Sequence, residues 1–253
     1  MNRSENVKIF RIGIYFLIFA VVILITAEQP EARKFEIGSD FTIGSPQGEF
    51  GNTVDSNGYG FAFTGLYKSD ILPIYIGLQL GYLQYGSTAR TEQFSPQIPE
   101  VDVRVKTTNN IFTSHLSVRF IREFGRIMPY CEGLIGVNYL FTHSSVENER
   151  FGNYPVFTTN NQDDSALSYG IGAGYLLKLY TFKPVINKRR NSEKPGMDGV
   201  QLLLNLNIQY LKGGKADYLR EGSIIHNGQD VTYDVKTSTT DLLSYRIGFA
   251  VSF

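Results

Sequence analysis

Residues 243–253 alternate without a break. Leu243, Tyr245, Ile247, Phe249, Val251 and Phe253 take the odd positions, and Ser244, Arg246, Gly248, Ala250 and Ser252 the even ones. A pleated chain sends successive side chains to opposite faces, so the pattern predicts a strand with one apolar face and one small or polar face. The same template recurs at 74–84, 167–179 and 202–210, and with less contrast at 35–44, 58–68, 111–121 and 130–142. These are eight candidate strands.

Alternation alone fits a soluble sandwich as well as a barrel. Three features separate them. The stronger apolar stripes run for five residues or more, the length of a membrane-crossing strand of about 9–11 residues. Their opposite faces hold Gly, Ser, Asn, Gln and isolated charges, as in a barrel that is apolar outside and polar inside. Aromatic residues gather near strand ends, at Tyr67, Tyr82, Tyr85, Tyr139, Phe141 and Tyr210, where interfacial girdles belong. The predicted fold is all-β: a closed, antiparallel, up-and-down transmembrane β-barrel of eight strands.

The connections support this order. Those at 69–72 and 122–128 are short, whereas 45–57, 87–107, 144–164 and 216–237 are long and polar. Short periplasmic turns and long external loops form the outer-membrane pattern. The segment 182–199 breaks it, being long on the short side; with Lys183, Lys188, Arg189, Arg190 and Lys194 it reads as a solvated basic insertion, with contact to headgroup anions as the sharper reading. Segments 101–106 and 231–236 alternate again, so strands are expected to project beyond the membrane.

Ahead of the strands, Arg3, Lys8 and Arg11 precede an uncharged run at 12–27 that ends before Glu28 and Pro30. A basic start, an apolar core of about 15 residues and a small residue at its end describe a cleavable signal peptide, too short for an ordinary spanning helix. Residues 1–27 are the expected signal, with cleavage after Ala27 and Ala32 as the second choice. Residues 28–253 form the barrel domain.

Composition removes other classes. The chain of 253 residues has 24 Lys and Arg against 24 Asp and Glu, one cysteine and no tryptophan. One cysteine excludes a disulfide framework, and zero formal net charge argues against nonspecific nucleic-acid binding. His143 and His226 fall in external connections without ligand spacing, so neither metal nor cofactor is expected. Cys131 is expected to be a small buried hydrophobe. Gly170, Gly172 and Gly174 lack the spacing of a dinucleotide fingerprint and sit inside one strand; inward glycines there make room for bulky neighbours.

The eight alternating strands and the closing 245–253 stretch resemble small outer-membrane β-barrels of the outer membrane protein A or X type. The resemblance implies that Tyr245, Phe249, Val251 and Phe253 form an assembly signal read by the barrel-insertion machinery. It also implies outer-membrane lipids and lipopolysaccharide as neighbours, in a bacterial outer membrane. The family's functions are diverse, so the fold does not choose among them.

Strand parity places Glu36, Asp40, His115, Arg119, Glu132, Lys178 and Arg246 inside. Arg119 and Glu132 lie on strands joined by a short turn and are expected to meet. Glu36 or Asp40 is expected to meet Arg246, because first and last strands adjoin in a closed barrel. Paired charges are what a solid polar core needs, since a lone buried charge is very costly. Eight strands enclose little more than side chains, which favours a plug over a pore.

His115, Ser117 and Glu132 resemble the His-x-Ser and distant Glu of an outer-membrane lipid A deacylase family. That motif continues with Asn, whereas Val118 follows here, and His115 and Ser117 point away from the acyl chains. The leading expectation is a non-enzymatic structural or surface-binding barrel acting through its external loops. A narrow-pore channel and a lipid-modifying hydrolase are the alternatives.

Overall fold

A computed structural model describes residues 33–70, 74–95, 98–147, 155–182, 199–227 and 230–253. The expected signal peptide and most of the basic 182–199 connection lie outside the described residues. Among those described are ten strands and one short helix: β1 (Phe35–Pro46), α1 (Gly48–Thr53), β2 (Gly58–Lys68), β3 (Ile74–Ser95), β4 (Ile98–Ile121), β5 (Ile127–Glu147), β6 (Pro155–Thr181), β7 (Gln201–Gly213), β8 (Lys215–Asn227), β9 (Asp230–Thr239) and β10 (Leu242–Ser252). Eight of them close into a barrel in the order β1-β10-β7-β6-β5-β4-β3-β2, every pairing antiparallel. The other two, β8 and β9, pair with each other as a separate hairpin.

Closure joins the two ends of the chain's sheet. Asp40 stands opposite Gly248 and Glu36 opposite Ser252, while Phe35 and Phe253 exchange backbone hydrogen bonds of 2.8 and 2.9 Å. The termini of the barrel therefore lie at one end, with the turns that follow β2 and β4. The opposite end carries the long connections.

Parity sorts the side chains as the alternation predicts. Ile37, Phe41, Phe63, Ile135, Leu167, Ile171, Ile208, Tyr245, Ile247 and Phe249 are exposed on the outside. A closed sheet with a largely apolar exterior satisfies its backbone internally and meets hydrocarbon without an edge. The shortest barrel strands, β2 and β10, have 11 residues each, matching the span of a tilted transmembrane strand. Aromatic rings mark both ends of this belt: Tyr180 meets Phe182, and Phe35 meets Tyr67 and Phe253, at the inner end; Tyr82, Tyr139 and Phe141 gather at the outer one.

Two expectations about single residues change. Tyr85 is no girdle residue: it follows the inward positions Leu83 and Gly81, is buried, and donates from its hydroxyl to the Leu219 carbonyl at 3.2 Å. Cys131 faces outward but is exposed, because it lies on the lipid-facing side of β5. A small thiol there costs nothing against hydrocarbon.

The four strands β3 to β6 run 21 to 27 residues, about twice the belt. Their outer halves continue as a sheet, so the connections at 87–107 and 144–164 are largely hairpin arms. The connection at 45–57 contains α1, and that at 216–237 is the β8–β9 hairpin.

Inward glycines serve two purposes. A Cβ on Gly172 would fall 2.8 Å from both Glu132 and Gln209, and one on Gly174 would fall 2.6 Å from the Tyr130 ring and close against the Leu206 carbonyl oxygen. These positions make room for bulky groups. A Cβ on Gly136 would instead collide with backbone, at 1.9 Å from the Ser114 carbonyl oxygen, so that glycine permits the tight coiling that closes a small barrel. Gly174→Val is expected to press on the Leu206 carbonyl as well as displace the Tyr130 ring, and to cost about 3 kcal/mol, the upper end of the usual range for overpacking. A urea midpoint equal to that of the parent chain would show that both the ring and the β7 backbone have room to move.

Candidate functional site: a sealed lumen beneath a projecting crown

The lumen is stratified. At the inner end Leu66, Tyr75, Ile121, Met128, Tyr130, Leu176, Leu203 and Ala250 form one apolar layer. At the outer end Leu83, Ile111, Leu134, Leu140, Leu211 and Leu242 form another, continuous with Phe50, Val54, Tyr85, Ala216 and Tyr218 above them. A polar belt lies between the two layers and overlaps the inner one, where Glu36 stands opposite Leu66. It holds Asp40, His115, Arg119, Glu36, Glu132 and Arg246, each between 1 and 6 % exposed.

Arg119 is the hub. Its Nη1 donates to Glu36 Oε1 at 2.7 Å, while Nε and Nη2 both reach Glu132 Oε2 at 3.0 Å. The guanidinium plane sits 4.1 Å from the centre of the Tyr130 ring. The planar fork of arginine suits this work: it serves two carboxylates and stacks on an aromatic face at once. Glu132 is well supplied in return. Gln209 donates to its Oε1 at 2.6 Å and Asn207 at 2.9 Å, and the Ser117 hydroxyl donates to Oε2 at 3.3 Å.

The network continues toward β1. Asn207 Nδ2 donates to the Tyr130 hydroxyl at 2.8 Å, that hydroxyl donates to Asn205 Oδ1 at 2.7 Å, and Asn205 Nδ2 donates to Asp40 Oδ1 at 2.9 Å. Alternate positions of β5 and β7 supply most of these groups, since Tyr130, Glu132, Asn205, Asn207 and Gln209 all have inward parity. Buried polar groups stay cheap only when their partners are in place, and here a hydrogen-bonded string links three carboxylates to one guanidinium.

Arg119 and Glu132, directly opposite each other across the β4–β5 ladder, do meet. The second anticipated pair does not form. Arg246 stands opposite Thr42, not Asp40, and its buried Nε and Nη1 have no hydrogen-bond partner. Asp40 is held by Asn205, and Glu36 is taken by Arg119 from across the lumen. Arg246 acts there as a field, not as a bonded partner. Lys178 also departs from expectation: it is half-buried at the inner rim, just before a bulge in the β6–β7 pairing, and its N–H bonds the Arg126 carbonyl at 2.8 Å. That close to water, its ammonium needs no carboxylate.

The hydrolase arrangement is not assembled. His115 Nε2 lies 3.1 Å from Ser168 Oγ on β6, and Ser117 gives its proton to Glu132 and not to the histidine. A nucleophile needs its base within hydrogen-bond reach and a substrate in contact, and both groups are sealed from lipid. Tyr245, Phe249 and Phe253 are exposed on the lipid side of β10, and Val251 is half-exposed there. Among the described residues no group of three His, Cys, Asp or Glu side chains is placed to hold a metal ion.

Sequence reasoning missed the outer cap. The single turn of α1 buries Phe50 completely, edge-on to Tyr85 at 5.7 Å and to Tyr218 at 5.0 Å. Tyr218 in turn bonds Ser238 at 2.8 Å across the β8–β9 hairpin, and Asp217 N–H donates to Asp164 of β6 at 2.9 Å. The available signal was a lone Phe in a polar segment, and a Tyr-Leu pair in another.

Closed eight-fold antiparallel order, an apolar exterior and a polar, filled interior define a small transmembrane β-barrel. No protein-family model matches the chain, and no curated protein matches it. Solved structures that are similar include Neisserial surface protein A, at 10% identity and a TM-score of 0.45, covering 88% of this chain and all of that one. A major outer membrane protein from Thermus thermophilus aligns at 12% identity and a TM-score of 0.40, covering 88% of this chain and all of the other. Ail, the attachment invasion locus protein of Yersinia pestis, aligns in its complex with the heparin analogue sucrose octasulfate at 14% identity and a TM-score of 0.33, over 87% of this chain and 97% of that chain. The class assignment rests on this barrel's own geometry.

Proposed function

We propose that this chain is a bacterial outer-membrane barrel whose lumen is structural and whose activity resides in its crown as a surface-binding protein. The observation that carries the reading is the stratified lumen: a hydrogen-bonded polar belt closed above and below by apolar layers. Ions crossing such layers would be stripped of water without compensation. Lipopolysaccharide and outer-membrane lipids are the surroundings this reading requires. The barrel-assembly machinery is the partner for the strand that ends in Phe253.

The crown offers an interaction edge. Among the described residues, the backbone ladder of β3 from Gly86 to Ser95 is with β4, past the last β2 partner at Tyr59, and the Arg90 side chain there reaches the Ile224 carbonyl of β8 at 3.3 Å. An unpaired strand edge accepts another strand through its backbone. In the sequence the outer segments 47–57, 86–110, 142–165 and 212–241 carry 14 Asp and Glu against 8 Lys and Arg. That sign favours a basic protein surface as partner over a sulfated polysaccharide.

Planar bilayers containing the refolded barrel are expected to stay electrically silent while a folded band still shifts on boiling. Whole cells displaying it are expected to retain labelled basic matrix proteins, and to lose them when 87–107 and 216–237 are exchanged for short turns. Discrete, reproducible conductance steps would make the protein a channel instead.

A further inference from the structure

The inner rim has the opposite charge from the crown. Its described charged side chains are Arg33, Lys34, Lys68, Arg122, Arg126 and Lys178, against the carboxylates of Asp70 and Glu123. Lys34 is bound to Asp70 at 2.6 Å. The others ring the end of the barrel at the depth where lipid headgroups begin.

One groove concentrates this charge. It has a volume of about 330 Å³ and opens where β2 ends beside the turn after β4, lined by Lys68, Tyr75, Phe120, Ile121, Arg122 and Glu123. The size is that of a small-ligand site. Lys68 Nζ lies 5.9 Å from the centre of the buried Tyr75 ring, at the mouth of the lumen, and the Arg122 guanidinium lies 5.4 Å from that of the exposed Phe124 on the rim. Phe120, 44% exposed on the outer face of β4, continues the groove into the lipid-facing belt.

We infer that this groove binds the headgroup of an anionic phospholipid of the inner leaflet, of the phosphatidylglycerol type. Lys68 and Arg122 hold the phosphodiester, as lysine and arginine hold phosphate elsewhere. Glu123 is an acceptor-only group and takes the hydrogen bond of a headgroup hydroxyl. The acyl chains descend along Phe120. Charge selects among headgroups: two cations and one carboxylate leave one positive charge, which a glycerol phosphodiester neutralises and a zwitterionic headgroup does not. Choline also lacks a donor for Glu123. The inference goes beyond the crown-binding role and does not depend on it.

The test is native mass spectrometry of the full barrel released from nanodiscs with equal phosphatidylglycerol and phosphatidylcholine. The parent chain is expected to retain one phosphatidylglycerol molecule. The double variant K68Q/R122Q, checked for folding by the boiling shift, is expected to lose that retention by about tenfold. E123Q keeps an acceptor for the headgroup hydroxyl and removes a negative charge beside the phosphate, so it is expected to retain phosphatidylglycerol at least as well as the parent chain. Equal retention by parent and double variant would place the lipid elsewhere and overturn the assignment. Displacement of the lipid by millimolar glycerol phosphate would overturn it too, by showing a site for a free phosphate ester.

Discussion

Arg119→Met is expected to lower the unfolding free energy of the barrel by about 3–5 kcal/mol, the range for removing one partner of a buried ion pair. The single guanidinium serves Glu36 at 2.7 Å and Glu132 at 3.0 Å, all three groups being almost wholly buried. Without it, two carboxylates share a low-dielectric space whose remaining cation, Arg246, bonds neither of them. The stacking on Tyr130 is lost as well. Arg119→Lys keeps the charge but not the fork, and is expected to fall between. Adding Glu36→Gln and Glu132→Gln to Arg119→Met removes the stranded charges and should restore most of the loss, since a buried pair replaced whole is often neutral. Urea unfolding in detergent micelles, read from the boiling shift, measures each step. A loss below about 1 kcal/mol for Arg119→Met would mean that water reaches the carboxylates and the lumen is not dry. Arg246→Leu is the internal comparison: its unbonded Nε and Nη1 already bear a desolvation cost, so its removal should cost less.

The barrel was legible because its rule is local. Odd and even positions of 243–253 separate Phe249 from Gly248 and Tyr245 from Arg246, and hydrocarbon on one side keeps that contrast high. All eight barrel strands lie where the alternation puts them. The ladder pair Arg119 and Glu132 was legible for the same reason, being neighbours across one short turn. The Arg119–Glu36 bond was not, because it spans the lumen between β4 and β1, and strand parity says nothing of depth or reach. The lengths of β3 to β6 were hidden by composition. Above the membrane both faces of a strand meet water or polar neighbours, so Thr107, Thr108, Asn109 and Asn110 follow one another without alternation although the ladder continues through them. Tyr85 was misplaced because an aromatic near a strand end has two destinations. Which one it takes depends on whether something above the barrel offers it a partner.

That partner sets the second large effect. Phe50→Ala is expected to cost the crown about 3–5 kcal/mol, the range for deleting a fully buried aromatic ring. Phe50 is the wedge between Tyr85 of the barrel and Tyr218 of the β8–β9 hairpin, and α1 is too short to hold its place by backbone bonds alone. Its loss should free the hairpin while leaving the eight-stranded ladder untouched, because its nearest partners lie above the apolar layer. Limited proteolysis is therefore expected to cut within 215–239 in the variant and not in the parent, with an unchanged boiling shift and urea midpoint. Bilayers should stay silent even then, since Leu83, Ile111, Leu140, Leu211 and Leu242 still close the outer end. Conductance appearing with Phe50→Ala would show that the hairpin, not this layer, is the seal. The crown would then gate a pore, and binding at the crown would be coupled to its opening.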